Sequence, residues 1–310
     1  MIFQNMKLFK FQMLCLLFIQ ATAAFSADNF FNVNSLAGQT IRNFSYPEYD
    51  AQGQPEREIS GDQLQILPEG IFKVTNLKLS TYENGRKAMN IATPICLYNR
   101  IKRTAVTTAE VYVVIKSEIF ATGQGGEFDE KNGKIRLDNN VKVVMEKTRP
   151  KKNLGKAMDS EIHSMDGGST NRITITSTRL TGDIKTSFAV FEGNVVANVP
   201  LTRPPFKIES DRLTVFFSND KKKEALEAFE AEGRITITAD TFTANARKAV
   251  YGMADGKVIL SGSPSVTREL NRLTAETIVY WRDSGRILCE PKAHLTIYSA
   301  QDLRDRSGKN

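Results

Sequence analysis

Two short stretches decide the fold class, Ile173-Thr174-Ile175-Thr176 and Ile235-Thr236-Ile237-Thr238. Both alternate strictly between apolar and polar residues, so an extended strand places the isoleucines on one face and the threonines on the other. Similar runs of β-branched and aromatic residues follow one another after residue 35, separated by Gly, Asn and Asp turns. Helical periodicity is nearly absent, and only residues 221–230 have a helix-like composition, which predicts a long hairpin or one helical turn. The pattern predicts an all-β protein of antiparallel strands.

Two glycine motifs recur along the chain. The first occurs as Gly133-Lys134-Ile135-Arg136-Leu137, as Gly256-Lys257-Val258-Ile259-Leu260 and as Gly285-Arg286-Ile287-Leu288. The second occurs as Phe191-Glu192-Gly193-Asn194-Val195 and as Ala231-Glu232-Gly233-Arg234-Ile235. In both we expect glycine to provide the backbone freedom of a tight turn, after which alternate apolar residues re-enter the core. The irregular spacing counts against a regular β-helix or propeller and favours a meandering stack of hairpins.

The strand pattern lapses over residues 148–172, which contain one proline, three glycines and many charges. We interpret this stretch as a linker between a module at residues 30–147 and a second module at residues 173–300. A long hairpin loop within one continuous sheet is the alternative. The length of 310 residues is in keeping with two compact units, and residues 301–310 form a polar tail.

Residues 1–24 have the features of an export signal. Lys7 and Lys10 precede the apolar run 11–19, and small residues at 21–24 offer a cleavage site. An uncleaved anchor is the alternative, but the run is shorter than the about 20 residues that a spanning helix needs. Cleavage would remove two lysines and no acidic residue, lowering the net charge from +7 to +5, so the surface should weakly prefer anions. Nucleic acid is not an expected partner of an exported chain.

Two cysteines follow the signal, Cys96 and Cys289, and they lie in different halves of the chain. They can form one disulfide after export or remain two buried thiols.

Five elements of the second module, read in order, resemble the OstA-like family of periplasmic lipopolysaccharide-transport proteins. They are FEGNVVA from Phe191, IESDRLTVFF from Ile208, AEGRITI from Ala231, ARKAVY from Ala246 and GKVILSGSPSV from Gly256. Residues 173–299 resemble the LptA-type module. Residues 44–146 resemble the LptC-type module, through YPEYDAQGQPEREISGDQL from Tyr46 and FATGQGGEFDEKNGKIRLDNNVKV from Phe120.

The resemblance implies twisted, incompletely closed antiparallel sheets of the half jelly-roll type, with an apolar groove for lipid acyl chains. It implies a periplasmic location, lipopolysaccharide or a related anionic glycolipid as ligand, and contacts with inner-membrane transporter and outer-membrane translocon components. It also implies edge-to-edge strand pairing with other OstA-like modules, for which the candidate edges are residues 30–41 and 293–298. The chain departs from the family in joining two modules and in carrying what looks like a cleavable signal instead of an inner-membrane anchor.

Strand parity indicates which residues would line the groove. In the first module these are Val111, Val113, Ile135, Leu137, Val141 and Val143. In the second they are Val195, Leu213, Val215, Phe217, Ile235, Ile237, Phe242, Val258 and Leu260. A β sandwich with a filled core shows the same alternation, so a ligand-free structural envelope protein is an alternative.

Two basic clusters are candidates for weak contact with an anionic headgroup. The first consists of Arg149, Lys151 and Lys152, and the second consists of Lys221, Lys222 and Lys223. Solvated loops carry such runs as well.

No catalytic or metal-binding motif is present in the sequence, and we expect neither a catalytic site nor a cofactor. The two histidines, His163 and His294, are expected to be surface or packing residues. Glu127, Asp129 and Glu130 cluster near a predicted turn and could serve a secreted polysaccharide hydrolase or lyase, which is the enzymatic alternative. Solvation of an exposed turn explains them better, since carboxylates this close together on a hairpin need no catalytic reason.

Overall fold

A computed structural model describes residues 37–116, 118–146, 172–200, 205–218, 226–239 and 242–298. Within these residues the protein is all-β, with nineteen strands in one antiparallel sheet and a 3-10 turn at Pro68–Gly70. The predicted fold class is confirmed. No helix in the described ranges is long and apolar enough to span a membrane.

The strands are β1 (Thr40–Tyr49), β2 (Pro55–Ile66), β3 (Ile71–Glu83), β4 (Arg86–Asn99), β5 (Thr104–Ile115), β6 (Ile119–Asp129), β7 (Lys134–Glu146), β8 (Arg172–Ser177), β9 (Arg179–Asp183), β10 (Phe188–Val199), β11 (Phe206–Phe217), β12 (Leu226–Ala239), β13 (Phe242–Gly252), β14 (Lys257–Ser261), β15 (Ser265–Arg268), β16 (Asn271–Thr274), β17 (Thr277–Trp281), β18 (Arg286–Glu290) and β19 (His294–Thr296). Residues 226–230, whose composition looked helical, belong to β12. Residues 221–225 lie outside the described residues.

Consecutive strands pair with each other along nearly the whole sheet, as the meandering hairpin pattern predicted. β1 to β7 follow one another, β8 and β9 together fill the next position, and β10 to β13 continue the series. Beyond β13 the sheet divides into two ribbons, one of β14, β17 and β18 and the other of β15, β16 and β19. Within the described ranges, β1, β18 and β19 each pair on one side only.

The sheet is continuous across the stretch interpreted as a linker. β7 pairs directly with β8, where Val143 lies opposite Ile175, and also with β9. A direct pairing of the flanking strands matches the hairpin-loop alternative. The domain boundaries stay a prediction, because residues 147–171 lie outside the described residues, as do residues 1–36, 201–204 and 299–310.

A line of bulges crosses the middle of the long strands. At this line β10 contains Gly193 and Asn194 at φ values of +78° and +50°, and β12 contains Gly233 at +96°. The expectation of tight turns at the second glycine motif was therefore wrong: these glycines bend a strand that continues beyond them. A bulge needs the left-handed conformation just as a tight turn does, so the sequence signal is the same. In the first motif, Gly133 and Gly285 do lie in turns before β7 and β18, and Gly256 directly follows the turn before β14.

The sheet folds along this bulge line into two facing arms. Phe206 and Tyr251 pair with opposite ends of β12, at Ala239 and Phe229. In a flat sheet, ten residues of strand would separate them by roughly 33 Å. Their ring centroids are 5.4 Å apart, which is possible only if one half of each strand lies over the other.

The apolar faces of both arms form one core. The isoleucines of the two Ile-Thr runs are buried, at 2 % and 0 % exposure for Ile173 and Ile175 and at 3 % and 8 % for Ile235 and Ile237. Cys96 is buried in this core, and both Cys96 and Cys289 are free thiols. The cysteines are therefore unpaired in this structure, as the second alternative predicted, but Cys289 is only half-buried.

Candidate functional site

A cavity of about 450 Å³ lies between the arms at the C-terminal end of the sheet. This volume falls within the about 300–1,000 Å³ typical of small-molecule sites. Its lining is mostly apolar: Phe206, Ile208, Phe229, Ala231, Ile237, Ala239, Phe242, Ala244, Ala249, Val250, Tyr251, Val258, Leu260, Val266, Arg268, Asn271, Leu273, Ile278, Tyr280, Arg282, Gly285, Ile287 and Leu295.

The cavity exists because small side chains occupy facing positions of the two arms. Ala231 and Ala249 lie opposite each other on β12 and β13, and Ala239 and Ala244 lie on the other arm. Alanine leaves space that leucine or isoleucine fills elsewhere in the core. At the end of the sheet, Ile287 on β18 and Leu295 on β19 line the cavity although they are 50 % and 58 % exposed. The cavity therefore opens between the two last strands.

Aromatic rings form the walls of the cavity. Tyr251 stacks on Phe229 at 6.3 Å and meets the edge of Phe206, while Phe242 meets the edge of Tyr280 at 6.2 Å. Burial raises the pKa of Tyr251. These rings hold the arms apart and present broad apolar surfaces to the interior.

Four of the nine groove residues predicted in the second module line this cavity: Ile237, Phe242, Val258 and Leu260. The other five, Val195, Leu213, Val215, Phe217 and Ile235, are buried in the core or packed against it. The structure thus places all nine on the inner face but brings only four to the open space. Lipid contact stays a prediction for all of them.

The first module is packed more tightly. Its six predicted groove residues, Val111, Val113, Ile135, Leu137, Val141 and Val143, are all buried at 6 % exposure or less. The void there is about 20 Å³ and touches three of them, Val111, Ile135 and Leu137. That volume holds about one water molecule. In this structure the first module therefore offers a filled core, and an acyl chain would have to displace side chains.

A buried ion cluster, which we call the Arg57 clasp, bridges the two arms in the first module. It consists of Arg57, Glu48, Tyr98 and Glu130. Arg57 Nη1 donates to the hydroxyl of Tyr98 at 3.1 Å and to Glu130, and Arg57 Nη2 donates to Glu48. Although burial lowers the pKa of Arg57, the hydrogen bond to Glu48 and the nearby charges raise it overall. The clasp ties the free ends of the arms together where the core is filled.

Sequence reasoning missed the two charged residues of the cavity, Arg268 and Arg282. They are separated from the predicted groove residues along the chain, and only the folding of the sheet brings them to the same space. An arginine that directly follows an aromatic strand, as in Tyr280-Trp281-Arg282, is the available signal, and many surface arginines share it.

The basic clusters predicted for headgroup contact both fall outside the described residues, so the structure does not place them at the cavity. This holds for Arg149, Lys151 and Lys152 in the first cluster and for Lys221, Lys222 and Lys223 in the second. Their contact with a headgroup stays a prediction.

The structure describes one of the two histidines and parts of both predicted sheet edges. His163 lies outside the described residues, whereas His294 is an exposed residue of β19, paired with Thr274 of β16. The predicted edge at 293–298 contains β19, and β18 forms a second edge beside it. At the other end, residues 40 and 41 of the predicted edge belong to β1, whereas residues 30–36 lie outside the described residues.

The acidic residues considered for catalysis have other partners. Glu127 forms an ion pair with Arg136 at 3.3 Å, and Glu130 belongs to the Arg57 clasp. Asp129 accepts hydrogen bonds from the side chain and backbone of Asn132, which lower its pKa. No group of three metal-ligating side chains converges in the part of the chain that the structure describes.

A family model and a solved structure each match part of the chain. No curated protein matches the chain. Among solved structures, the chain is similar to the crystal structure of LptH, the LptA homologous periplasmic component of the lipopolysaccharide transport device from Pseudomonas aeruginosa. The identity is 17 %, the TM-score is 0.36, and the match covers 41 % of this chain and 95 % of LptH. The model of the family "LptA/(LptD N-terminal domain) LPS transport protein" matches residues 174–286, from β8 to the start of β18. These residues, which carry most of the cavity lining, form a domain of the LptA/LptD N-terminal lipopolysaccharide-transport family.

Proposed function

We propose that the chain is a periplasmic lipopolysaccharide-binding transport protein that shields acyl chains between the arms of its sheet. The observation that carries the proposal is the coincidence of the matched family domain with an apolar cavity that opens at the end of the sheet. Family membership alone gives a fold and a general role. The cavity supplies a place in this chain where a fatty ligand would fit.

The physical need for such a cavity follows from the cost of exposing hydrocarbon to water. Exposing an acyl chain of about a dozen methylenes to water costs roughly 10 kcal/mol of free energy, at about 0.8 kcal/mol per methylene. An apolar wall removes this cost without chemistry, and we propose no catalytic step. The LptC-type role of residues 44–146 and the export signal belong to the same proposal.

The first test is the purification of the protein from its native envelope, followed by mass spectrometry of bound lipid. We expect lipopolysaccharide or a related acylated glycolipid to be recovered in stoichiometric amount. A well-folded protein without any amphiphile would instead favour the structural envelope protein.

A second test locates the ligand. Val258 and Ile259 are neighbours on β14, and only Val258 lines the cavity. We expect Val258→Trp to abolish the uptake of a fluorescent acyl probe because the indole fills the cavity, and we expect Ile259→Trp to leave uptake intact. Equal uptake by both variants would place the ligand elsewhere.

We also propose that the single-sided strands of the sheet pair with partner modules. Unpaired N–H and C=O groups on β1, β18 and β19 would accept an added strand. Ile297, 69 % exposed just after β19, would lie within such a contact. Sedimentation should show that Ile297→Lys weakens self-association, whereas Ile101→Lys, at a residue 79 % exposed in the β4–β5 turn, should not. Identical behaviour of the two variants would exclude pairing through this end.

A further inference from the structure

The cavity has a one-sided charge pattern. Among the described residues that line it, Arg268 and Arg282 are the two charged side chains, and both are cationic. Apart from these two, the polar side chains among the lining residues are those of Asn271, Tyr251 and Tyr280. An apolar chamber whose charged groups are all cationic is complementary to a molecule with a fatty body and an anionic head.

Arg282 is held in place with donors to spare. Its Nη1 donates to the hydroxyl of Tyr251 at 2.5 Å, and its Nε donates to Asp283 at 3.0 Å. A guanidinium has five N–H donors, so three remain, including both on Nη2. The side chain is 24 % exposed, whereas Asp283 is 73 % exposed and directed to solvent. The guanidinium is therefore held in a fixed orientation, and its remaining N–H donors are available to a ligand.

Arg268 lies on the opposite arm. β15 begins beside the bulge line at Ser265 and ends at Arg268, while Arg282 follows the end of β17, whose first residue lies opposite Ser261. Both arginines thus stand at the free ends of their arms, on the two sides of the cavity. In the described part of the chain, the Arg268 side chain has no ion-pair or hydrogen-bond partner and is exposed.

Arg282 also lies over an aromatic ring, with Cζ 6.0 Å from the centroid of Tyr251, but its neighbouring cations lie outside the cavity lining. Arg286 and Lys257 lie over the ring of Trp281, at 5.0 Å and 5.7 Å from its centroid, and neither lines the cavity. Arg268 and Arg282 are thereby distinguished from the general positive charge of this end of the sheet.

We propose that Arg268 and Arg282 bind the phosphate headgroup of an amphiphile whose acyl chain occupies the cavity. The inference rests on the proposed function and assigns the headgroup site to these residues. A planar guanidinium fork matches phosphate oxygens in a bidentate fashion, and two forks on opposite arms would hold the head between the free ends of the arms while the chain lies between the aromatic walls.

The test compares two amphiphiles with identical acyl chains, a diphosphorylated glucosamine glycolipid and its dephosphorylated form, on the full-length protein. The cavity variant combines Arg268→Gln with Arg282→Gln. The matched control combines Arg247→Gln with Arg272→Gln, which removes the same charge from exposed residues of β13 and β16 outside the cavity lining. Far-ultraviolet circular dichroism and the thermal midpoint check that each variant folds.

We expect the cavity variant to bind the phosphorylated lipid about tenfold more weakly at low salt, equal to about 1.4 kcal/mol, and to bind the dephosphorylated lipid unchanged. The control variant should bind both as the wild type does. The pair of changes Arg268→Lys and Arg282→Lys, which keeps the charge, should recover part of the loss and keeps the test valid if the glutamine variant does not fold.

Equal loss for both lipids, or no loss for either, would overturn the headgroup assignment while leaving lipid binding in place. Binding of inorganic phosphate alone as tightly as the phosphorylated lipid would overturn it as well, because the site would then serve a free anion. A wild-type protein that binds neither lipid would instead refute the proposed function itself.

Discussion

At the scale of single residues, the Arg57 clasp removes a guanidinium from water. The Arg57 side chain is 4 % exposed, and its charge is balanced by Glu48 and Glu130, which are 21 % and 13 % exposed. Arg57 Nε finds no hydrogen-bond acceptor. Removing one partner of a buried ion cluster is costly because the remaining charges stay buried without compensation.

Replacing Arg57 by methionine should therefore destabilise the protein by about 3–5 kcal/mol, because two partly buried carboxylates lose the guanidinium between them, although Arg103 remains 3.8 Å from Glu48. The free energy of unfolding in urea measures the effect. Arg234→Met is the control: this side chain is 91 % exposed in its pair with Asp211, and its loss should have little effect. A comparable loss in both variants would mean that the clasp contributes no more than a surface pair.

Cys96 gives a prediction for alkaline pH. Burial raises the pKa of its thiol from an ordinary 9.0 to about 11. Between these values the unfolded chain releases a proton that the folded protein keeps, so the stability present below pH 9 is lost as the pH rises toward 11. The free energy of unfolding should fall less steeply over this range in Cys96→Val than in the wild type. Parallel curves would show that the thiol does not titrate as described.

At the scale of elements, the close approach of β6 and β7 depends on glycine. A Cβ at Gly126 would stand 2.4 Å from the backbone oxygen of Arg136, which cannot move without distorting β7. Its backbone is extended, so conformational freedom is not the reason for glycine here. Space is the reason.

Gly126→Ala should accordingly cost about 1–3 kcal/mol in unfolding free energy, through overpacking against a strand. Gly123→Ala on the same strand is the control, because the nearest atoms there are 3.1 Å away or more and the first of them is a side chain. Its cost should be smaller. A reversed order would show that β7 adapts more easily than its position in the sheet implies.

The same elements show how far the sequence determines the fold. Strict alternation at Ile173–Thr176 and Ile235–Thr238 predicted strand type and buried face correctly, because both are local properties. The bulge at Gly193 was mistaken for a turn, since glycine reports a left-handed conformation without reporting whether the strand continues. Arg268 and Arg282 were missed because their proximity to Phe242 and Val258 arises from the folding of the whole sheet.

At the scale of the whole molecule, the two ends differ in how they are filled. The first module closes its core with the Arg57 clasp, and its void holds about one water molecule. The second ends in two ribbons around a cavity of about 450 Å³. One continuous sheet thus joins a packed end to an open one.

This difference predicts that the same leucine-to-alanine substitution lowers the free energy of unfolding by different amounts at the two ends. Leu77→Ala, at a residue 2 % exposed in the packed end, should cost about 2–5 kcal/mol because it leaves a new cavity. Leu273→Ala should cost less, since Leu273 is half-buried and already borders empty space. Chemical denaturation of both variants measures the two values. Equal costs would mean that the cavity is collapsed in solution.

The Arg57 clasp also affects the order in which parts of the sheet unfold. It ties β1, β2 and β4 to the residue that follows β6, so fraying at that end requires several long strands to separate at once. The ribbons at the other end consist of strands of three to five residues. Local unfolding should therefore begin at the C-terminal ribbons and reach the end held by the Arg57 clasp last. Amide hydrogens of β17 should exchange with solvent sooner than those of β3.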